Sequence, residues 1–138
     1  MTPDQALAIV SPVYDALTEP AKKDIAALLT QTTAVDFVSC STETESIGRD
    51  EVIARFKDIG KTIPDLSWSI RQLWVSGDDI IVRAEATGTP ARRFLEVEPT
   101  GRSFKTMSID IYHIEGGRIA RSYHVENWTA AKRQLMGG

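Results

Sequence analysis

The sequence predicts an α+β fold, a curved antiparallel sheet with N-terminal helices packed on its concave face. Three observations lead there. Apolar residues recur at helical spacing early in the chain, at Val10, Tyr14 and Leu17 and again at Ile25, Leu28 and Leu29. From Leu66 onward they fall into strand-like runs divided by turn residues. Helical segments come first and strands follow in succession, the order of a sheet with its helices gathered on one side rather than of alternating βα units.

Thr2-Pro3-Asp4 reads as a helix start, with Thr2 as the cap, Pro3 at the first position and an acid in the first turn. Leu7, Val10, Tyr14 and Leu17 mark its apolar side, and Pro12 predicts a kink, or a break with Ser11 recapping. Thr18-Glu19-Pro20 repeats the start signal for a second short helix through Ala21, Ile25, Leu28 and Leu29. Residues 33–41, TAVDFVSCS, read as the first strand, and Ser41 to Glu45 as a polar loop. Gly48-Arg49-Asp50 opens a helix with Val52, Ile53, Phe56 and Ile59 on one face, and Gly60 is expected to end it. Leu66 to Val75 and Ile80 to Thr87 form a hairpin about the turn Ser76-Gly77-Asp78-Asp79. A basic irregular stretch leads to the turn at Pro99-Thr100-Gly101, a long strand follows from Arg102, and Thr129 to Met136 reads as a closing helix.

The last hairpin, Ser108 to Trp128, carries most of the chemistry. With a three-residue loop, Glu115-Gly116-Gly117, Ile114 faces Arg118, Ser108 opposes His124 and Asp110 opposes Ser122. Ser108, Asp110, Tyr112, Ser122, His124 and Glu126 then share a polar face, and Ile109, Ile111, Ile119, Tyr123 and Val125 share the other. Asp110 and His124 become diagonal neighbours, an acid-base pair in prospect. A two-residue Gly116-Gly117 turn shifts the register by one and separates them onto opposite faces.

At 138 residues the chain predicts a single domain, 1–138, with no repeats and no linker. It is 42% hydrophobic and 25% charged, which excludes a disordered chain. Its 16 basic and 19 acidic residues are interspersed for a net charge of -3, so no electrostatic footprint points to nucleic acid or an anionic membrane. Lys22-Lys23 and Arg92-Arg93 read as solvated pairs. Cys40, alone in the chain, reads as a buried inert thiol suited to a reducing compartment. No basic segment precedes the first apolar residues and no apolar run approaches a membrane span, so the expected location is cytoplasmic.

Several short stretches in order carry a family resemblance. They are Pro64-Asp65-Leu66 with Ile70, then Gly77-Asp78, Ile80 and Arg83, then Gly88-Thr89, Phe94 and Pro99-Thr100-Gly101-Arg102, and finally Gly117-Arg118-Ile119, Tyr123, Gln134-Leu135 and Gly137. Between Ile47 and Gly137 the chain resembles the SnoaL-like polyketide cyclase group of the NTF2-like superfamily. The resemblance implies a cone-shaped α+β barrel, often a homodimer, with a hydrophobic pocket and neither metal nor cofactor. In those cyclases an aspartate directly after the last strand's aromatic is the general acid-base for an aldol closure, helped by a histidine on the preceding strand. The matching places here are His124, after Tyr123, and Asp110, so the residue types are exchanged. Pro90, Arg92 and Glu96 stand where the group usually has His, Gly and Gly around the pocket mouth.

An Asp holding one imidazole nitrogen leaves the other as a general base, so His124 is the candidate proton carrier and Asp110 its orienter, or the two form a structural pair. Arg83 either stabilises an enolate or carboxylate or pairs with Glu85 at the surface. Tyr14 and Tyr112 are candidate donors to a developing oxyanion, though Tyr14 also reads as a core tyrosine. Glu126 extends the polar end of the hairpin, Asn127 either orients a ligand or caps the last helix, and Trp68 reads as pocket wall or dimer surface. His113, beside the turn, is expected to be exposed and without function. Three readings follow: a cofactor-free lyase or isomerase acting on a hydrophobic carbonyl compound, an epoxide hydrolase of the limonene type, for which a second acid is missing at position 124, and a non-catalytic ligand-binding module.

Overall fold

A computed structural model describes all 138 residues. Helix α1 spans Pro3–Ala16 and begins on a reciprocal cap in which Thr2 Oγ1 accepts the Gln5 N–H at 3.1 Å and Gln5 Oε1 accepts the Thr2 N–H at 2.8 Å. The helix runs unbroken through Pro12, so of the kink or break expected there the break does not occur. Ala6, Val10, Val13 and Tyr14 are buried on both sides of the proline, and that shared face holds the helix together across the missing hydrogen bond. Leu7 lies off this face, 43% exposed.

The second helix starts later than its sequence signal suggests. Pro20–Lys22 forms only a 3₁₀ turn, and α2 occupies Ile25–Thr32 with Asp24 as its cap. Glu19 sits at φ 47 with its N–H donated to the Leu66 carbonyl at 2.7 Å, which ties the chain to the sheet and prevents a helix from starting there. Helix α3, Arg49–Thr62, likewise continues past Gly60, where it was expected to end. A Cβ on Gly60 would lie 2.8 Å from Pro20 Cβ, so this glycine serves close packing of α3 on the 3₁₀ turn.

The strands are β1 (Thr33–Cys40), β2 (Ser46–Gly48), β3 (Ser67–Ser76), β4 (Asp79–Gly88), β5 (Phe104–Glu115) and β6 (Arg118–Glu126), followed by α4, Trp128–Leu135. They form one sheet in the order β2-β1-β6-β5-β4-β3. Its pairs are antiparallel except β1 with β6, so the sheet is mixed rather than wholly antiparallel. The short edge strand β2 has no counterpart in the sequence reading. Even-numbered residues of β4 and β5 point inward, among them Ile80, Val82, Ala84, Tyr112 and Ser108, and α1 lies against β3 and β6 to close the core. Cys40 ends β1 as a buried free thiol. No helix is long and apolar enough to cross a membrane.

The last hairpin departs from its expected loop. Gly116 and Gly117, at φ 58 and 75, form a two-residue turn closed by the pair Glu115 and Arg118. The register then shifts between His113, which faces Arg121, and Ile114, which faces Ile119, leaving Ala120 as an extra residue. This bulge reverses the parity that the short turn imposed. Asp110 therefore lies directly opposite His124, on the inner face, rather than diagonal to it. Ile119, expected outside, is fully buried on the inner face.

Candidate functional site

Four consecutive inward positions of β5 are polar: Thr106, Ser108, Asp110 and Tyr112, all buried. An ionised carboxylate in such a place needs partners for its oxygens, because stranding it in apolar surroundings is costly. Asp110, 3% exposed, has them. Tyr14, from the second half of α1, donates its hydroxyl to Asp110 Oδ2 at 2.7 Å, and Tyr112 donates to the Tyr14 oxygen at 2.8 Å. The other oxygen, Oδ1, receives Nδ1 of His124. Burial drives the pKa of both tyrosines well above the ordinary phenol value, with Tyr112 and Asp110 adding to the effect at Tyr14 and Asp110 at Tyr112. Both phenols therefore stay protonated and act as donors.

His124 is held from both sides. Its Nε2 makes an ion pair with Glu126 Oε2, two residues along the same face of β6. Burial pulls the imidazole pKa down, but the charge and hydrogen bond of Asp110 and then those of Glu126 outweigh it and push it up to about 10. A carboxylate oxygen against each ring nitrogen requires a proton on each. His124 is thus an imidazolium at neutral pH, and the site is a carboxylate-cation-carboxylate run anchored by two phenols.

This run borders a cavity of about 690 Å³ with walls drawn from α1, α2, α3 and the sheet. Phe37, Ile47, Val52 and Phe56 give it an apolar side, and Asp110, His124 and Glu126 line it together with Ser122. An aromatic cluster stands beside them. The Trp68 ring lies 5.9 Å from the His124 ring, Trp128 meets Trp68 edge-on at 6.0 Å, and Phe94 meets Trp128 edge-on at 5.4 Å. Trp68 is fixed in turn by its indole N–H, which donates to Ser108 Oγ at 2.9 Å.

Of the residues singled out in the sequence, Asp110, His124, Tyr112, Glu126 and Trp68 line the cavity, and Tyr14 meets it through Asp110. Tyr14 and Tyr112 direct their hydroxyls at Asp110 and at each other, so neither is free to hold a substrate oxyanion. Arg83 is corrected: it points to the outer face, where its guanidinium reaches Gln72 Oε1 at 3.3 Å. Its neighbours Val82 and Ala84 occupy the inner face, and strand alternation places Arg83 outside. Glu85 pairs not with it but with Arg71 at 2.6 Å. Of the two readings of Asn127 the cap is the one found and the ligand contact is not: its side chain accepts the Ala130 N–H at 3.0 Å at the start of α4. His113 is half-exposed and pairs with Asp79 at 2.8 Å, apart from the cavity.

The sequence reading did not single out Phe94, Arg55 and Glu45 in the lining, or Glu126 as a partner of His124. The last was accessible, since residues two apart on a strand share a face. No three His, Cys, Asp or Glu side chains converge as metal ligands would.

A helix-lined cavity over a curved mixed sheet defines the NTF2-like class of α+β proteins. The SnoaL-like polyketide cyclase family model matches residues 11–135, and the chain belongs to that family. The fold superposes on a provisionally assigned SnoaL-like polyketide cyclase from Jannaschia sp. CCS1 with TM-score 0.83 and 19% identity, covering 100% of this chain and 97% of that one. TsrD from Streptomyces laurentii gives TM-score 0.83 and 23% identity over 98% and 97% of the two chains. An LEH-like epoxide hydrolase from M. tuberculosis gives TM-score 0.71 and 11% identity over 98% and 92%. At these identities the likeness is one of fold. No protein of curated function matches the chain in sequence.

The raised His124 pKa links the charged site to stability. A group whose folded pKa lies above its unfolded value contributes fully below the unfolded pKa, about 6.5, and loses that contribution as pH rises through the folded one. Urea midpoints of the wild type should therefore descend more steeply between about pH 6.5 and 10 than those of His124→Gln. Parallel curves for the two proteins contradict the assigned charge.

Proposed function

We propose that the protein is a cofactor-free acid-base enzyme of lyase or isomerase type, acting on a hydrophobic carbonyl compound by proton abstraction or aldol-type closure. The observation that supports this most is an ionised Asp110-His124-Glu126 run bordering a largely apolar cavity. His124 starts the reaction charged, so its role is that of acid rather than free base. Glu126 takes the proton from the carbon beside the substrate carbonyl, and the C–H electron pair moves toward the carbonyl oxygen. In an aldol closure that carbon bonds to a second carbonyl carbon, whose oxygen takes the Nε2 proton of His124. Glu126 then passes its proton to His124, which restores the site. Asp110 holds the imidazolium in place throughout, and Tyr14 and Tyr112 hold Asp110.

A second reading rests on the same run. Two carboxylates flanking a cation supply the second acid that the sequence lacks at position 124, and they suit hydrolysis of a hydrophobic epoxide. There Glu126 draws a proton from water as its oxygen attacks an epoxide carbon, and His124 protonates the departing oxygen. Diol formation from epoxides selects this reading, and ring closure or isomerisation of carbonyl compounds selects the first.

On either, His124→Ala should lower turnover by about a hundredfold or more, the usual weight of general acid-base catalysis, without unfolding the protein. Circular dichroism checks the fold. Ligand binding that survives in the variant, with no turnover in either protein, would instead leave a non-catalytic binding module.

We further propose that the protein is a homodimer. Met107, Ile111, Tyr123 and Val125 are 38–60% exposed on the outer face of β5 and β6, the two strands most central to the chemistry, and 44% of Trp74 is exposed on β3. Monomers rarely leave contiguous apolar patches of this kind uncovered. Light scattering should give twice the 15.2 kDa chain mass, reduced to one copy by Val125→Asp. A single-copy mass for the wild type contradicts the dimer.

A further inference from the structure

The charges around the cavity do not balance. Asp110 and Glu126 carry one negative charge each and His124 one positive, so the inner site is negative by one. At the rim, Glu45 offsets Arg55, whose guanidinium already leans on Glu51 at 3.6 Å. The whole lining is therefore negative, and its one inner cation is sandwiched between two carboxylates. An anionic ligand finds no unpaired positive charge there.

A cationic ligand meets the opposite situation. Glu126 uses Oε2 on His124, and its Oε1 takes no protein donor. The side chain lines the cavity and remains 19% exposed, so this oxygen is accessible. The aromatic cluster of Trp68, Phe94 and Trp128 lines the same cavity, with Trp68 against the His124 ring that Glu126 holds. Tryptophan faces attract cations, and a partly buried carboxylate is screened less than one in open water.

We propose that the cavity selects hydrophobic ligands that carry a protonated amine, seated on one lone pair of the free oxygen of Glu126 while the other is left for the proton transfer, over neutral and anionic ligands of the same shape. The inference rests on the cavity being the ligand site, as the proposed function requires, and it narrows the carbonyl compound to one bearing a basic nitrogen. A negative site also accounts for the division of labour in the reaction. It opposes a free enolate, so proton transfer from His124 must keep pace with proton removal by Glu126, and an ammonium on the substrate relieves the same excess charge.

Three probes of matched shape test this: 2-naphthylmethylammonium, 2-naphthylmethanol and 2-naphthoate. Calorimetry measures each against the whole protein, with quenching of Trp68 and Trp128 fluorescence as the second readout. The cation should bind at least about tenfold more tightly than the alcohol and the carboxylate more weakly still, a difference of about 1.4 kcal/mol per tenfold step. Glu126→Gln should erase the advantage of the cation. Equal binding of all three, or a preference for the carboxylate, overturns the inference while leaving a hydrophobic ligand cavity. A preference that persists in Glu126→Gln overturns the seat assigned to the amine. Failure of every probe to bind overturns the cavity reading and the inference together.

Discussion

The structure is built around one buried carboxylate. Asp110 sits at 3% exposure in the middle of a sheet face whose neighbours include Val82 and Ile80, and an unpaired charge there would cost several kcal/mol. Each element that meets the site contributes to its neutralisation. Helix α1 brings Tyr14, 96 residues from Asp110 in the chain, β5 itself brings Tyr112, and β6 brings His124, 14 residues from Asp110. Removing Tyr14 or His124 takes from Asp110 one of its two partners, so the site and the packing of α1 on the sheet depend on each other. Such coupling explains why α1 stays whole through Pro12: Tyr14 lies beyond the proline and must remain in register with Asp110.

The hairpin shows how register becomes chemistry. A two-residue turn alone would set His124 on the outer face, where water would replace its partners. The one-residue bulge at Ala120 returns it to the interior and moves Asp110 directly opposite. From there alternation does the rest, because Glu126 follows His124 on the same face. A cation between two carboxylates results from three neighbouring positions on two strands, and its charge state follows from their contacts.

Much of this was legible in the sequence. Strand and helix identities came through because apolar spacing at 2 and 3.6 residues survives in any context. The pairing of Asp110 with His124 was legible as well, although by way of the wrong loop and the wrong register, with two departures that cancel. What stayed hidden was decided by contacts distant in sequence. Gly60 looks like a helix stop until Pro20 is seen packed against it, and Pro20 looks like a helix start until Glu19 is seen bonded to Leu66. The strand β2, three residues long, carries too little pattern to be read. For Arg83 and Asn127 residue type leaves a pocket role open beside a surface pair and a helix cap, and strand parity and the cap geometry decide against the pocket.

The central claim is that His124 is an imidazolium held between Asp110 and Glu126, and nitrogen NMR of the imidazole tests it most directly. At neutral pH both ring nitrogens of His124 should show the shifts of protonated nitrogens, each coupled to a proton protected from solvent exchange. One protonated and one bare nitrogen at pH 7 would contradict the account, and with it the assignment of His124 as the acid.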